Sequence, residues 1–254
     1  MSHAPPSLIH PFPLRPAPAP PALLAGQLHE IHADAADWAS ALCFALGGLA
    51  QRANASARPV AIVLVRPCPR GSGVLGAVPA AMPYAPGLAG AGIDPARLVL
   101  VETGDAIGLL RAGLDAARCP GVAGVVIESW GRMAEYDLTA SRRLVLAAEQ
   151  SGTGVAVLRG DAPERASAAH SRWHIRSAAS RAEPLAAHLP APPGPAAIEA
   201  RLLRQRGGTA GMGWLLEWDE RDGCFRQHRA NAGAAPLSGA VVPLAAMPAG
   251  ARAA

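Results

Sequence analysis

Short, nearly unbroken runs of Val, Ile, Leu and Ala recur along the chain, at Leu28–His32, Val60–Val65, Leu98–Glu102, Val122–Glu128 and Gly154–Arg159. Runs such as VAIVLV and GVVIE lack polar alternation, which suits strands buried on both faces in a parallel sheet covered by helices. Alanine- and leucine-rich segments between them predict helices over Asp34–Gln51, Ala85–Ala91, Gly104–Ala117 and Leu138–Ser151. The last is the best defined: Asp137 or Thr139 can cap its start, Leu144, Val145 and Ala148 share one side, and Gly152 can end it.

The texture changes after Arg159. A polar segment, GDAPERASAAHSR, leads to the strand-like WHIRS, and the proline-rich His188–Pro195 follows. Two further strand candidates come next, IEARLLRQR and GWLLEWD, joined by GGTAGM. Trp214, Leu216 and Trp218 alternate onto one face of the second, the pattern of a half-buried antiparallel strand. The expected fold is therefore α/β, a mainly parallel sheet flanked by helices with a C-terminal antiparallel extension. Residues 1–25 read as a disordered proline-rich lead, 26–228 as one domain whose β extension occupies about 196–228, and 229–254 as a disordered Ala/Pro/Gly-rich tail. Prolines break the lead too often for a signal peptide, and no run reaches the length of a membrane span, so the expected location is cytoplasmic.

Composition narrows the chemistry. The 254 residues carry a formal charge of +4, and all 23 basic residues are arginine. Without lysine there is no Schiff base, no lysine general base and no lysine to reach nucleotide phosphates. The four cysteines (Cys43, Cys68, Cys119, Cys224) are scattered and suggest neither a disulfide frame nor a zinc site.

Several motif fragments fail on context. RGSGVLG carries glycines at 71, 73 and 76, but Pro67, Pro69, Pro79 and Pro83 prevent the strand-to-helix turn of a dinucleotide site. IESWG lacks the first glycine of a nucleophile elbow, and Ser129 has no evident triad partners. In HEIH, residues three apart on a strand point to opposite faces, so His29 and His32 cannot share a metal. His170 and His174 read as solvated or packing residues.

The most informative stretch is LHEIHADAADWASALCFALGG, a strand, turn and helix at the place of a nucleotide-binding loop. Its turn, Ala33-Asp34-Ala35-Ala36-Asp37, has neither glycine nor lysine and carries two carboxylates. Glu128 closes VAGVVIE, where an ATPase holds its Mg²⁺-binding carboxylate, and reads as a relic or a structural acceptor.

In order and spacing these parts, with APGLAGAGIDPARLVLVE, DLTASRRLVLAAEQSGTGVAVLRG, SAAHSRWHI, LLRQRGG and WLLEWD, resemble the ImuA family of RecA-like, SulA-related proteins from about Gly26 to Trp218. The resemblance implies a non-catalytic accessory protein of SOS-induced error-prone translesion synthesis. It would act with an ImuB-like inactive Y-family polymerase and a C-family error-prone polymerase, with RecA as a further partner, joining the nucleoid when assembled. The alternative is a SulA-like cell-division inhibitor that binds the tubulin-like division protein. On this reading no cofactor or metal is expected. The turn would serve as a helix cap, its Asp34 and Asp37 favouring the helix dipole and repelling polyphosphate. RecA-type proteins bind DNA through two mobile loops. The second is shortened here to GDAPERASAAHSR, which leaves Arg132, Arg142, Arg143 and Arg172 as the candidates for direct DNA contact. Candidate partner contacts are Trp214 and Trp218 on one strand, Arg204 and Arg206 on its neighbour, and Arg142 and Arg143 on a helix, because Trp and Arg dominate interface hot spots.

Overall fold

A computed structural model describes residues 20, 22–55, 60–68, 82–181, 192–220 and 224–227, with side chains of the first helix described as far as Gln51. Most of the expected lead, the expected tail 229–254, the glycine run at 71–76 and part of the 188–195 linker lie outside the described residues.

Nine strands form one sheet, in the order β3-β2-β4-β5-β1-β6-β7-β8-β9. They are β1 (Leu28–Ala33), β2 (Ala61–Pro67), β3 (Leu98–Thr103), β4 (Val122–Trp130), β5 (Gly154–Gly160), β6 (Ser171–Ala178), β7 (Ala197–Gln205), β8 (Gly213–Asp219) and β9 (Cys224–Gln227). All pairings from β3 across to β6 are parallel, and β6–β7, β7–β8 and β8–β9 are antiparallel. The expected class holds: a mainly parallel sheet, flanking helices and an antiparallel C-terminal extension. WHIRS belongs to β6, the last parallel strand, so the reversal begins only at β7.

The apolar runs split by alternation into two layers. On one face Ile31, Leu64, Val126, Leu158 and Trp173 meet α1 (Trp38–Ala55). On the other Val65, Ile127, Val155 and Val157 meet α3 (Ala106–Ala117) and α4 (Leu138–Ser151). The short α2 (Ala85–Gly90) buries Leu88 in the first layer. α1 buries residues over a broad arc, including Ala41, Leu42, Ala45, Leu46 and Leu49, because it serves the extension as well as the parallel strands. Gly47 on this helix lies against the Trp218 ring of β8, where a Cβ would make ordinary van der Waals contact at 3.5 Å. α4 starts and stops as its sequence demands: Asp137 accepts a hydrogen bond from Ala140 N–H at 2.7 Å, and Gly152 ends it in the left-handed conformation at φ 73°.

Candidate functional site

The C-terminal ends of the parallel strands converge around the turn after β1. Ala33 belongs to the strand, and residues 35–37 form a single 3₁₀ turn before α1 begins at Trp38. Asp34 stands at the N-cap position of this turn and makes no side-chain capping hydrogen bond. The acceptor comes from elsewhere. Asp161, just past β5, accepts the Ala35 N–H at 2.8 Å and donates its own N–H to the Ala33 carbonyl at 3.0 Å. Asp161 holds φ 47°, a left-handed conformation that aspartate tolerates better than most residues. Asp37 accepts the Ser177 N–H of β6 at 2.8 Å. The turn is thus laced to both neighbouring strands by carboxylates.

Glu128 does not end its strand; β4 continues to Trp130, and the Glu128 side chain is fully buried. Its Oε1 accepts the indole N–H of Trp38 at 2.9 Å and that of Trp130 at 2.8 Å, while Arg66 Nε on β2 stands 3.6 Å from Oε2. Burial pushes the Glu128 carboxyl above its ordinary value, against the pull of the Trp130 bond, the Arg66 charge and the Trp38 bond. Gly160 makes this arrangement possible. A Cβ there would sit 2.2 Å from the Trp130 ring, so only glycine lets the indole lie across β5. Both hydrogen-bonded oxygen positions of Oε1 are occupied from within the chain, and Ser129 likewise donates its hydroxyl to the Leu158 carbonyl at 3.1 Å.

A second buried polar cluster lies on the opposite face. Glu30 Oε2 accepts Arg172 Nε at 2.7 Å, and Glu30 Oε1 accepts the Tyr136 hydroxyl at 2.8 Å. Burial alone would raise the Glu30 carboxyl. Hydrogen bonding from Ser167 and the charge and bond of Arg172, with the Tyr136 bond, outweigh it and hold the group below its ordinary value. Arg172 also donates to Glu164, to the Ser167 hydroxyl and to the Arg165 carbonyl. Arg204 donates to the carbonyls of Ser167 and Ala169, and Arg206 to that of Ala168. Three arginines therefore fasten the loop 161–170 against β6 and β7.

The structure separates the other named residues. Trp214 is 2 % exposed and packs in the core against Trp173, with ring centroids 5.7 Å apart and planes tilted by 45°, and Trp218 is half-buried against Phe225. Arg142 and Arg143 are exposed on α4, and neither has an ion pair among the described residues. Arg132 is exposed after β4, whereas Arg172 is buried and engaged. His29 and His32 fall on opposite faces of β1, as alternation requires. Among the described residues no three His, Cys, Asp or Glu side chains come together as a metal site would need. All four cysteines are free. Among the described residues no helix is long and apolar enough to cross a membrane.

Sequence reasoning missed the Arg66–Glu128 pairing and the role of Asp161. The first had a signal: an arginine directly after VAIVLV, and a Glu and Trp two apart on one strand face. The second had none, because the contact spans 126 positions.

No protein-family model matches the chain. Protein ImuA of two Caulobacter vibrioides strains is 39% identical over 147 residues, covering 54% of this chain and 57% of the relative. The match thus spans little more than half the length of these curated relatives. Among solved structures, the RadB recombinase aligns at TM-score 0.46 with 13% identity over 78% of this chain and 90% of its own. SulA from Pseudomonas aeruginosa aligns at TM-score 0.36 with 17% identity over 52% of this chain and 97% of its own.

Proposed function

We propose, from the membership of the ImuA family that this identity supports, that the chain is a non-catalytic accessory protein of SOS-induced error-prone translesion synthesis. The 39% identity to Protein ImuA carries the reading. The non-catalytic part draws support from the turn Ala33–Asp37, which has no lysine and no glycine nest and whose Ala35 N–H is already bonded to Asp161. It draws further support from Glu128, whose hydrogen-bonding oxygen is taken by two indoles.

On this reading the chain is an adaptor. It binds an ImuB-like inactive Y-family polymerase and, through it, a C-family error-prone polymerase, in the cytoplasm and at the nucleoid. Hot-spot contacts need side chains that are free to meet a partner. That condition favours the exposed Arg142 and Arg143 of α4 over Trp214, which the core holds, and over Arg204, which the loop carbonyls hold. The test is capture of a tagged chain from DNA-damaged cells, with and without Arg142→Ala and Arg143→Ala. Retention of an ImuB-like protein that the double variant loses supports the adaptor and its face. Retention of the tubulin-like division protein in its place replaces the adaptor with a division inhibitor.

A further inference from the structure

Four strands bring basic side chains into one row on the sheet face that carries Glu30. Arg159 of β5 is paired with His32 of β1, His32 with His174 of β6, and His174 with Arg201 of β7. Paired residues share a face, and strands lie about 4.8 Å apart, so the row runs for about 14 Å. Arg176 follows on β6, one pleat beyond His174.

This row is underused by the chain itself. Arg159 is 2 % exposed, yet among the described residues its Nε and Nη2 find no hydrogen-bond partner, and its guanidinium lies over the Tyr136 ring at 5.1 Å. Buried guanidinium donors without acceptors are costly and rare. Neither His32 nor His174 makes a hydrogen bond among the described residues, and neither Arg176 nor Arg201 has an ion pair among them. The outer half of the row opens into a cavity of about 220 Å³ lined by Glu164, His174, Arg176, Glu199, Arg201 and Leu203.

Glu164 is the informative member. It comes from the loop after β5, is 58% exposed, and reaches Arg172 Nη1 at 3.1 Å beside this row. It is an internal anion on a basic floor, held by one partner and open to water. With Arg159, Arg172, Arg176 and Arg201 set against Glu30, Glu164 and Glu199, the site is mildly positive and becomes more so when Glu164 swings out.

We infer that this row is an anion site for phosphoryl groups, with Glu164 as the internal occupant that a phosphate displaces. Guanidinium forks match phosphate oxygens in pairs. A protein partner would need an apolar anchor at the centre of its contact; among the described residues Leu203, partly buried, is the one apolar residue lining the cavity. Both a free phosphate and the phosphodiester backbone of a nucleic acid present this chemistry. The inference goes beyond the adaptor reading and is tested on the purified chain without any polymerase partner.

The variants are Arg176→Ala with Arg201→Ala, which removes two exposed side chains, and Glu164→Gln, which removes the internal anion. The probes are inorganic phosphate, read by thermal shift, and a fluorescein-labelled single-stranded oligonucleotide, read by anisotropy across a salt series. Wild type should be stabilised by phosphate and the double variant should not; Glu164→Gln should respond at several-fold lower phosphate. If the site takes a backbone, the double variant binds the oligonucleotide about tenfold more weakly. Its salt slope should also be shallower by about 1.4, the loss of two phosphate contacts on a single strand. Phosphate binding without oligonucleotide binding would keep the site and assign it to a free anion. An Arg111→Ala control, an exposed arginine on α3, should bind like wild type. Wild type that ignores both probes, or a double variant that binds both as wild type does, would overturn the site.

Discussion

Replacing Arg172 by Met should be among the most damaging single changes in the described core. The guanidinium is 9% exposed and bonds Glu30 Oε2 at 2.7 Å, and the Glu30 side chain is 3% exposed. With Arg172 gone, Glu30 keeps the Tyr136 hydroxyl but loses the one cation bonded to it among the described residues. Removing one partner of a buried pair costs about 3–5 kcal/mol, because the remaining charge stays desolvated. The Glu164 bond adds little to this figure, since that carboxylate is 58% exposed and screened by water. At about 2–4 °C per kcal/mol for a chain of this size, Tm should fall by about 6–20 °C. Glu30→Gln combined with Arg172→Met should cost at least about 1 kcal/mol less than the sum of the single changes, because neither charge is then stranded. Urea titrations of the four proteins at neutral pH measure the cycle. A single Arg172→Met variant within about 1 kcal/mol of wild type, or strict additivity, would refute the claim that this pair is buried and coupled.

Two further outcomes follow from specific bonds. His29 donates Nε2–H to the Leu24 carbonyl at 3.1 Å and accepts from the Ser171 hydroxyl at 2.7 Å, with Trp173 donating to the same hydroxyl oxygen at 2.9 Å, so the ring is held neutral. Burial, reinforced by His170 and opposed by the Leu24 bond, lowers its pKa from 6.5 to about 4. The unfolded chain therefore binds the extra proton first, and the His29 contribution is full above pH 6.5 and is lost as pH falls towards 4. It amounts to about 3 kcal/mol, and urea midpoints of wild type and His29→Gln across that range should show a flatter slope in the variant. Arg204→Ala should cost about 1.5–3 kcal/mol, since it strands two loop carbonyls. Arg206→Ala, exposed and with one carbonyl bond, should cost less than about 1 kcal/mol, and limited proteolysis within residues 161–170 should accelerate mainly in the Arg204 variant.

Strand and helix positions were readable because burial on both faces leaves long apolar runs, and the Asp137 and Gly152 ends of α4 were readable because capping is local. Boundaries slipped where tertiary contacts extend an element. β4 gains Ser129 and Trp130 because β5 supplies matching backbone partners and Gly160 makes room for the indole. The parallel pairing of β6 with β1 could not be read from WHIRS, whose alternation suits either direction. The candidate arginines show the same limit. Sequence marks Arg204 as polar on a strand, but only the folded loop reveals carbonyls of Ser167 and Ala169 at its guanidinium. Contacts between residues far apart in the chain leave no local pattern, and most polar chemistry near this site is of that kind.

On the adaptor reading, the frame around the turn after β1 works without nucleotide. Isothermal titration of MgATP into the purified chain tests it most directly. The turn's Ala35 N–H is bonded to Asp161, Asp34 and Asp37 crowd it with negative charge, no lysine exists to reach a phosphate, and Glu128 is held by Trp38 and Trp130. The predicted result is no micromolar MgATP binding at the turn and no phosphate release on incubation, with any weak millimolar heat lost in Arg176→Ala with Arg201→Ala; saturable binding at micromolar MgATP, lost on substitution within Ala33–Asp37, would contradict it.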